Sequence, residues 1–305
     1  MLSGEKVLVT GPAGQIAFPL VEALAPHNEV WGAARFSEPG SRERVEAVGV
    51  RTVVCDLADG DFSGLPDDFT VVLHLAVYQP GGVDYNQALR VNAEGTGLLM
   101  QHFRDVRAIL VMSTASVYKP NEDPYHAYLE TDPLGELSTP WAPTYNASKV
   151  SQEAVARFCA RAFSIPTVIA RMNASYGPNG GLPAYQLDAL AAGRPVVTRW
   201  DPHPYSPIHD DDIAEQVEPL LGAASVPATI VNWGGDDVVS VQEWTPYMAE
   251  LLGIDNPGVV VEVLPNSMRG NVLDPTLRRS ITGPCRVDWR TGFARMVAER
   301  VGGRS

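Results

Sequence analysis

Two periodicities alternate through the first two-thirds of this chain, and that alternation constrains the fold more than any other feature. Apolar, β-branched runs occur at Lys6–Thr10, Glu29–Ala34, 51–55, 71–75, 108–113 and 167–171. Helical stretches at 14–25, 41–48, 84–104 and 144–163 separate them. The runs are apolar on both faces, as strands covered by helices on each side must be. Such an order predicts an α/β fold with a doubly wound parallel sheet. After Arg171 the texture changes, because Pro178, Gly180, Gly181, Pro183, Pro195, Pro202, Pro204 and Pro207 punctuate short elements. A helix with an acidic start is expected at 209–221, a last sheet strand at Thr229–Trp233 and a further strand at 259–264. The expected partition is interleaved. Residues 1–172 with about 208–235 form the sheet domain, and about 173–207 with 236–305 form a smaller substrate lobe.

The first strand runs into Thr10-Gly11-Pro12-Ala13-Gly14-Gln15-Ile16-Ala17. A tight glycine turn at a strand-to-helix junction lets backbone N–H groups approach a pyrophosphate, whose charge the helix N-terminus stabilises. Gly11 permits the turn, Gly14 removes a side chain that would block the phosphates, and Ala17 is small enough for helix–strand packing. The expected fold is therefore of the Rossmann type. A site preferring NAD places Asp or Glu at the end of the second strand, to hold the ribose hydroxyls. Here that position is Ala34, followed by Arg35, a planar cation suited to a 2′-phosphate. This reading favours NADP over NAD.

Composition narrows the partners. The 305 residues carry 23 Lys plus Arg against 36 Asp plus Glu, a net charge of −13 that repels nucleic acid and anionic lipid. Cys55, Cys159 and Cys285 form no CxxC pair and suit a reducing compartment. No apolar run approaches the roughly 20 residues of a membrane span, and residues 1–6 lack a signal-peptide core. A cytoplasmic protein with a small-molecule substrate is expected. His209 with Asp210, Asp211 and Asp212 suggests a metal cluster, but carboxylates at a helix start are explained by capping and the helix dipole; no metal is expected. His74 and His126 are read as structural. Trp141, Trp200 and Trp233 are candidates for a pocket wall, with ordinary packing the equal alternative.

Tyr145 and Lys149 lie four apart on one helical face. A phenol is a poor acid or base at neutral pH until neighbouring positive charge lowers its pKa. Some thirty residues earlier, Ser113 and Thr114 close a parallel strand, where hydroxyls face the ligand crevice.

Together these pieces resemble the extended short-chain dehydrogenase/reductase family, the NAD(P)-dependent epimerase/dehydratase group. The resemblance rests on residues 10–17, Asp56-Leu57, His74-Leu75-Ala76, residues 113–118 and 145–149, Arg171 with Tyr176-Gly177-Pro178, and residues 208–213. It implies cofactor contacts from Gly11, Ala13, Gly14, Gln15, Ile16, Arg35, Asp56, Leu57, Leu75, Ala76, Val77, Ser113, Tyr145, Lys149 and Arg171. It implies Thr114, Tyr145 and Lys149 as the catalytic residues, with Tyr145 the acid/base and Lys149 its activator. Asn92 would bond the main chain near the site. A homodimer paired through residues 84–104 and 144–163 is also implied.

Family members acting on nucleotide sugars carry an Asn and an Arg where this chain has Ala174 and Tyr205. Asn173 is displaced by one residue, and Ala115-Ser116 offer no acid for a dehydratase. The expected function is thus an NAD(P)-dependent oxidoreductase moving hydride between nicotinamide and a small alcohol or carbonyl compound. The alternatives are a nucleotide-sugar epimerase or dehydratase that retains its cofactor, and a non-catalytic dinucleotide sensor.

Overall fold

The computed structural model describes residues 1–79, 82–135, 142–264 and 266–302. The chain forms two compact units. The first comprises Met1–Val117, Ser138–Arg171 and Ala214–Val231; the second comprises Tyr118–Leu137, Met172–Ile213 and Asn232–Ser305.

The first unit is organised by a seven-stranded sheet: β1 (Lys6–Thr10), β2 (Glu29–Ala34), β3 (Arg51–Val54), β4 (Val71–His74), β5 (Ala108–Thr114), β6 (Thr167–Met172) and β7 (Thr229–Trp233). The spatial order is β7-β6-β5-β4-β1-β2-β3. β1 runs parallel to β2 with Lys6 opposite Glu29, and parallel to β4 with Val7 opposite Val71. The expected α/β architecture with a parallel sheet is present. Its strand order reverses at β1, the position where such sheets open a ligand crevice at their C-terminal ends. Burial explains why the central runs are wholly apolar: Val7, Leu8, Val9, Val71, Val72 and Leu73 have no exposed surface. β3 departs from that expectation. It is the sheet edge, with Arg51 and Val54 exposed to water.

Helices α1 (Ala17–Leu24), α2 (Ser41–Ala47) and α5 (Tyr145–Ala162) fall where the 3.6-residue period puts them. The stretch 84–104 is not the single helix expected. It is α3 (Tyr85–Leu89), a π-helical turn (Arg90–Glu94) and α4 (Gly95–His102). The wide turn presents Asn92, 2 % exposed, to the main chain of Tyr78, accepting from its N–H at 2.7 Å and donating to its carbonyl at 2.9 Å. A regular helix would carry that side chain elsewhere, and π turns recur where such a demand overrides the regular ladder. One core cluster collects Leu8, Val72, Leu99, Met100 and Ile109 around Phe62, Phe69 and Phe103. Phe69 and Phe103 meet edge to face at 5.5 Å, worth about 0.5–1.5 kcal/mol beyond burial alone.

The second unit contains α6 (Leu182–Ala191), the start of α7 (Asp210–Gly222), α8 (Val241–Leu252), α9 (Thr276–Thr282) and α10 (Trp289–Gly302), with short two-stranded pairs. Ser240 and Glu243 form a capping box that starts α8. Trp244, Phe293, Met248 and Leu187 anchor its core. The expected strand at 259–264 stops at Val261, after pairing with Val196–Thr198. Residues 118–137, placed with the sheet domain by the sequence, belong to this unit. Ala127–Tyr128 pairs there with Val272–Leu273, and Asn232 bonds both the Tyr118 hydroxyl and the Tyr128 carbonyl. Among the described residues no helix is long and apolar enough to cross a membrane.

Candidate active site

The glycine turn sits at the C-terminal end of β1. Gly11 has φ +67°, and a Cβ there would meet Ala76 Cα at 2.9 Å, so both its conformation and its close backbone approach exclude a larger residue. Beside it opens a cleft of about 330 Å³. Its walls come from the residues following β1, β2, β3 and β4, as the topology requires. Of the residues expected to touch a dinucleotide, Gly11, Ala13, Gly14, Arg35, Asp56, Leu57, Leu75, Ala76 and Val77 line it. The backbone approach at Gly11 and the uncrowded turn fit a pyrophosphate. Phe36, Ser37, Glu38, Ser41, Tyr78 and Val91 also line the cleft and escaped the sequence reading. Arg35 stands 6.0 Å from the centre of the Tyr78 ring. Gln15 and Ile16 lead into α1 just beyond the turn, outside this lining; Ser113, Tyr145, Lys149 and Arg171 lie outside it as well.

Those last four cluster with Thr114 in the same unit. Tyr145 opens α5, and its phenol is hydrogen-bonded to the Thr114 side chain. Burial raises the phenol's pKa, and the Thr114 hydrogen bond opposes that rise. The expected lowering by Lys149 is absent: its Nζ donates instead to the Met112 carbonyl at 2.6 Å and to Gln152 Oε1 at 2.5 Å. Burial pulls the Lys149 ammonium down to about 7, against the opposing attraction of Glu153.

Ser113 and Arg171 share a buried partner, the Glu153 carboxylate. Ser113 and Thr114 both reach α5, Thr114 meeting Tyr145 at its start and the Ser113 hydroxyl donating to Glu153 Oε1, two turns further along, at 2.6 Å. Arg171 grips the same carboxylate with Nε at 2.9 Å and Nη2 at 2.8 Å. Glu153 is 2 % and Arg171 1 % exposed. Sequence reasoning missed Glu153, although its place one turn after Lys149 on α5 was the available signal.

The acidic segment of the second unit is engaged internally. Asp212 accepts from the N–H groups of Arg286 and Val287, Asp211 pairs with Arg295, and His209 Nδ1 accepts from Asp211 N–H. Trp200 donates to Ser267 and lies under Arg269, and Trp233 is fully buried. Trp141 lies outside the described residues.

A parallel sheet with a glycine turn at its switch point, and a Tyr–Lys helix in the same unit, defines a dinucleotide-binding α/β protein of the short-chain dehydrogenase type. The comparison with known families is specific: a model of the NAD dependent epimerase/dehydratase family matches residues 7–201. The chain belongs to that family. Among curated proteins it is similar to the dTDP-L-rhamnose 4-epimerase of Burkholderia thailandensis, 25% identical over 85% of this chain and 84% of the relative. Among solved structures it is similar to the UDP-glucuronic acid 4-epimerase of Bacillus cereus in complex with UDP-glucuronic acid and NAD. That pair has a TM-score of 0.83 and 20% identity, over 97% of this chain and 99% of the other. The NAD complex of dTDP-glucose 4,6-dehydratase from Bacillus anthracis has a TM-score of 0.82 and 17% identity, over 97% and 96%. At these identities the structural likeness establishes the fold alone.

Proposed function

We propose that this chain is a nucleotide-sugar epimerase that oxidises and re-reduces one sugar carbon around a retained NAD. The observation that carries the reading is the Thr114–Tyr145 hydrogen bond, formed one helical turn before Lys149 in the unit that holds the dinucleotide cleft. The nicotinamide, when bound, supplies a reversible hydride acceptor. Tyr145 exchanges the proton of the reacting hydroxyl, and Thr114 orients that oxygen and the phenol. Lys149 gives up two N–H groups to Met112 and Gln152 and keeps one to offer the site. When protonated it is the positive charge the buried phenol needs before releasing its proton. The substrate class is supported by the relatives, an epimerase on dTDP-L-rhamnose and structures holding UDP-sugars. An epimerase is preferred to a dehydratase because Ala115 and Ser116 bring no acid beside Thr114.

The test is a panel of UDP- and dTDP-sugars followed by product analysis and nicotinamide absorbance. Interconversion without net absorbance change is expected. Tyr145→Phe should lower turnover roughly 10²–10⁴-fold while still binding dinucleotide. Stoichiometric reduction or oxidation of added cofactor would instead favour the second reading, a net alcohol/carbonyl oxidoreductase. One observation supports that alternative. Ala174 and Tyr205 lack the family's sugar-binding groups, and Asn173 is spent on Ala174 N–H, Ser206 N–H and the Asn271 carbonyl.

Arg35 in the cleft supports NADP. Glu38 on the same wall repels a 2′-phosphate, and the solved relatives hold NAD, so the balance falls to NAD. Arg35→Ala should leave NAD affinity near wild type and weaken NADP about tenfold; equal losses for both would remove Arg35 from cofactor choice. Phe158 on α5 and Leu98 on α4 are exposed, which supports the homodimer.

A further inference from the structure

His74, expected to be merely structural, belongs to a buried chain of polar side chains that the proposed chemistry leaves unused. Thr10, His74, Thr96, Gln152 and Lys149 are at most 2 % exposed. The hydrogen positions along the chain follow from donor accounting. Thr96 Oγ1 spends its one hydrogen on the Asn92 carbonyl at 2.6 Å. It must therefore accept from Gln152 Nε2 at 3.0 Å and from His74 Nε2 at 2.7 Å. His74 consequently carries its proton on Nε2. Burial and the Lys149 charge hold the imidazole neutral, its pKa down to about 3, so Nδ1 accepts from Thr10 Oγ1 at 2.8 Å. Thr10 Oγ1 in turn accepts the N–H groups of Leu75 and Ala76 at 3.1 and 3.0 Å. At the other end, Gln152 Oε1 takes a hydrogen from Lys149.

The chain thus joins two functional regions. Leu75 and Ala76 are cleft wall, and Lys149 lies one helical turn after Tyr145 on α5. A buried polar network rigidifies the groups at its ends when its members are hydrogen-bonded. This one is satisfied in a single hydrogen pattern. We propose that Thr96 and Gln152, held in register by His74 and Thr10, are positioning residues that fix the Lys149 ammonium relative to the dinucleotide wall. This inference rests on the site reading above, but it concerns residues that touch neither cofactor nor substrate. The charged and titratable groups around Lys149 are Glu153 and Tyr145 from its own helix, His74 from β4, and Arg171 from β6 through Glu153.

Lys6, Lys119 and Lys149 are the only lysines in the sequence, so lysine-selective isotope labelling of the full-length protein resolves the Lys149 titration by NMR. Gln152 Oε1 favours the charged form. Gln152→Leu should lower the Lys149 midpoint by about one pH unit, the size expected for a lost hydrogen bond to a charge. Thr96→Val, which is nearly isosteric, should move it in the same direction by less, because Gln152 loses its anchor. Thr96→Ser should restore the wild-type midpoint. Turnover at neutral pH should fall about tenfold in Thr96→Val and recover in Thr96→Ser. Folded Gln152→Leu and Thr96→Val proteins that titrate Lys149 as the wild type does would overturn the relay. If Gln152→Leu does not fold, the Thr96→Val and Thr96→Ser pair decides the same point. A wild-type protein inactive on every nucleotide sugar would sink the functional reading while the midpoint shifts still report on the relay.

Discussion

Each unit buries a group whose charge desolvation drags toward neutrality, from opposite directions. In the first, Lys149 falls to about 7; in the second, Asp210 rises to about 8, through burial and then the neighbouring Asp211 charge. The surroundings differ completely. Lys149 has two acceptors aimed at it and a carboxylate one turn away. Asp210 Oδ2 has no hydrogen-bond partner among the described residues, and Gly177 packs where any Cβ would strike that oxygen. A displaced pKa therefore does not by itself mark a site. The scaffold decides: acceptors held ready for a proton belong to chemistry, whereas a carboxyl left without donors simply stays neutral.

The sharpest break in this comparison is catalytic. Lys149→Met should cut turnover roughly 10²–10⁴-fold, the range for losing a proton-transfer partner. Asp210→Asn should leave turnover near the wild-type value, since the amide replaces a carboxyl already neutral at pH 7. Comparable losses in both variants would show that Asp210 also serves the reaction, and the contrast drawn from its missing partners would fail.

A second, smaller effect is steric. Gly177→Ala should destabilise the protein by about 1–3 kcal/mol, the usual result of forcing a methyl into filled space. Asp210→Ala empties that space, so the double variant should recover most of the loss in a denaturant double-mutant cycle. Additive losses would mean that Gly177 answers to something other than Asp210.

The same contrast governs what could be read from the sequence. Lys6–Thr10, Glu29–Ala34 and Thr229–Trp233 were legible to the residue because turns bound buried, β-branched runs. The glycine turn was legible because a backbone requirement leaves glycine behind at a fixed spacing. The break in 84–104 was not, because Asn92 bonds Tyr78 fourteen positions earlier, a demand no helical period encodes. Likewise Thr10 and His74 stand 64 residues apart, and neither signals that it will bond the other. Ser113 and Thr114 were correctly placed at the end of β5 but not told apart, since both reach α5 and nothing in the local pattern says which meets Tyr145 and which meets Glu153.

The finest discrimination is the slope of stability against pH. Lys149 has a folded value near 7 and an unfolded value near 10.5. Between them the unfolded chain holds more protons, so this group makes the wild type more stable as pH rises through that window. Asp210 has a folded value near 8 and an unfolded value near 3.8. Between those the folded chain holds more protons, so this group makes the wild type less stable as pH rises. Urea midpoints across pH should therefore diverge in opposite senses once each group is removed. The stability of Asp210→Asn relative to wild type should grow from pH 4 to 8, and that of Lys149→Met should shrink from pH 7 to 10. Parallel curves would mean that at least one of the two groups keeps its unfolded value in the folded protein, and the comparison between them would lapse.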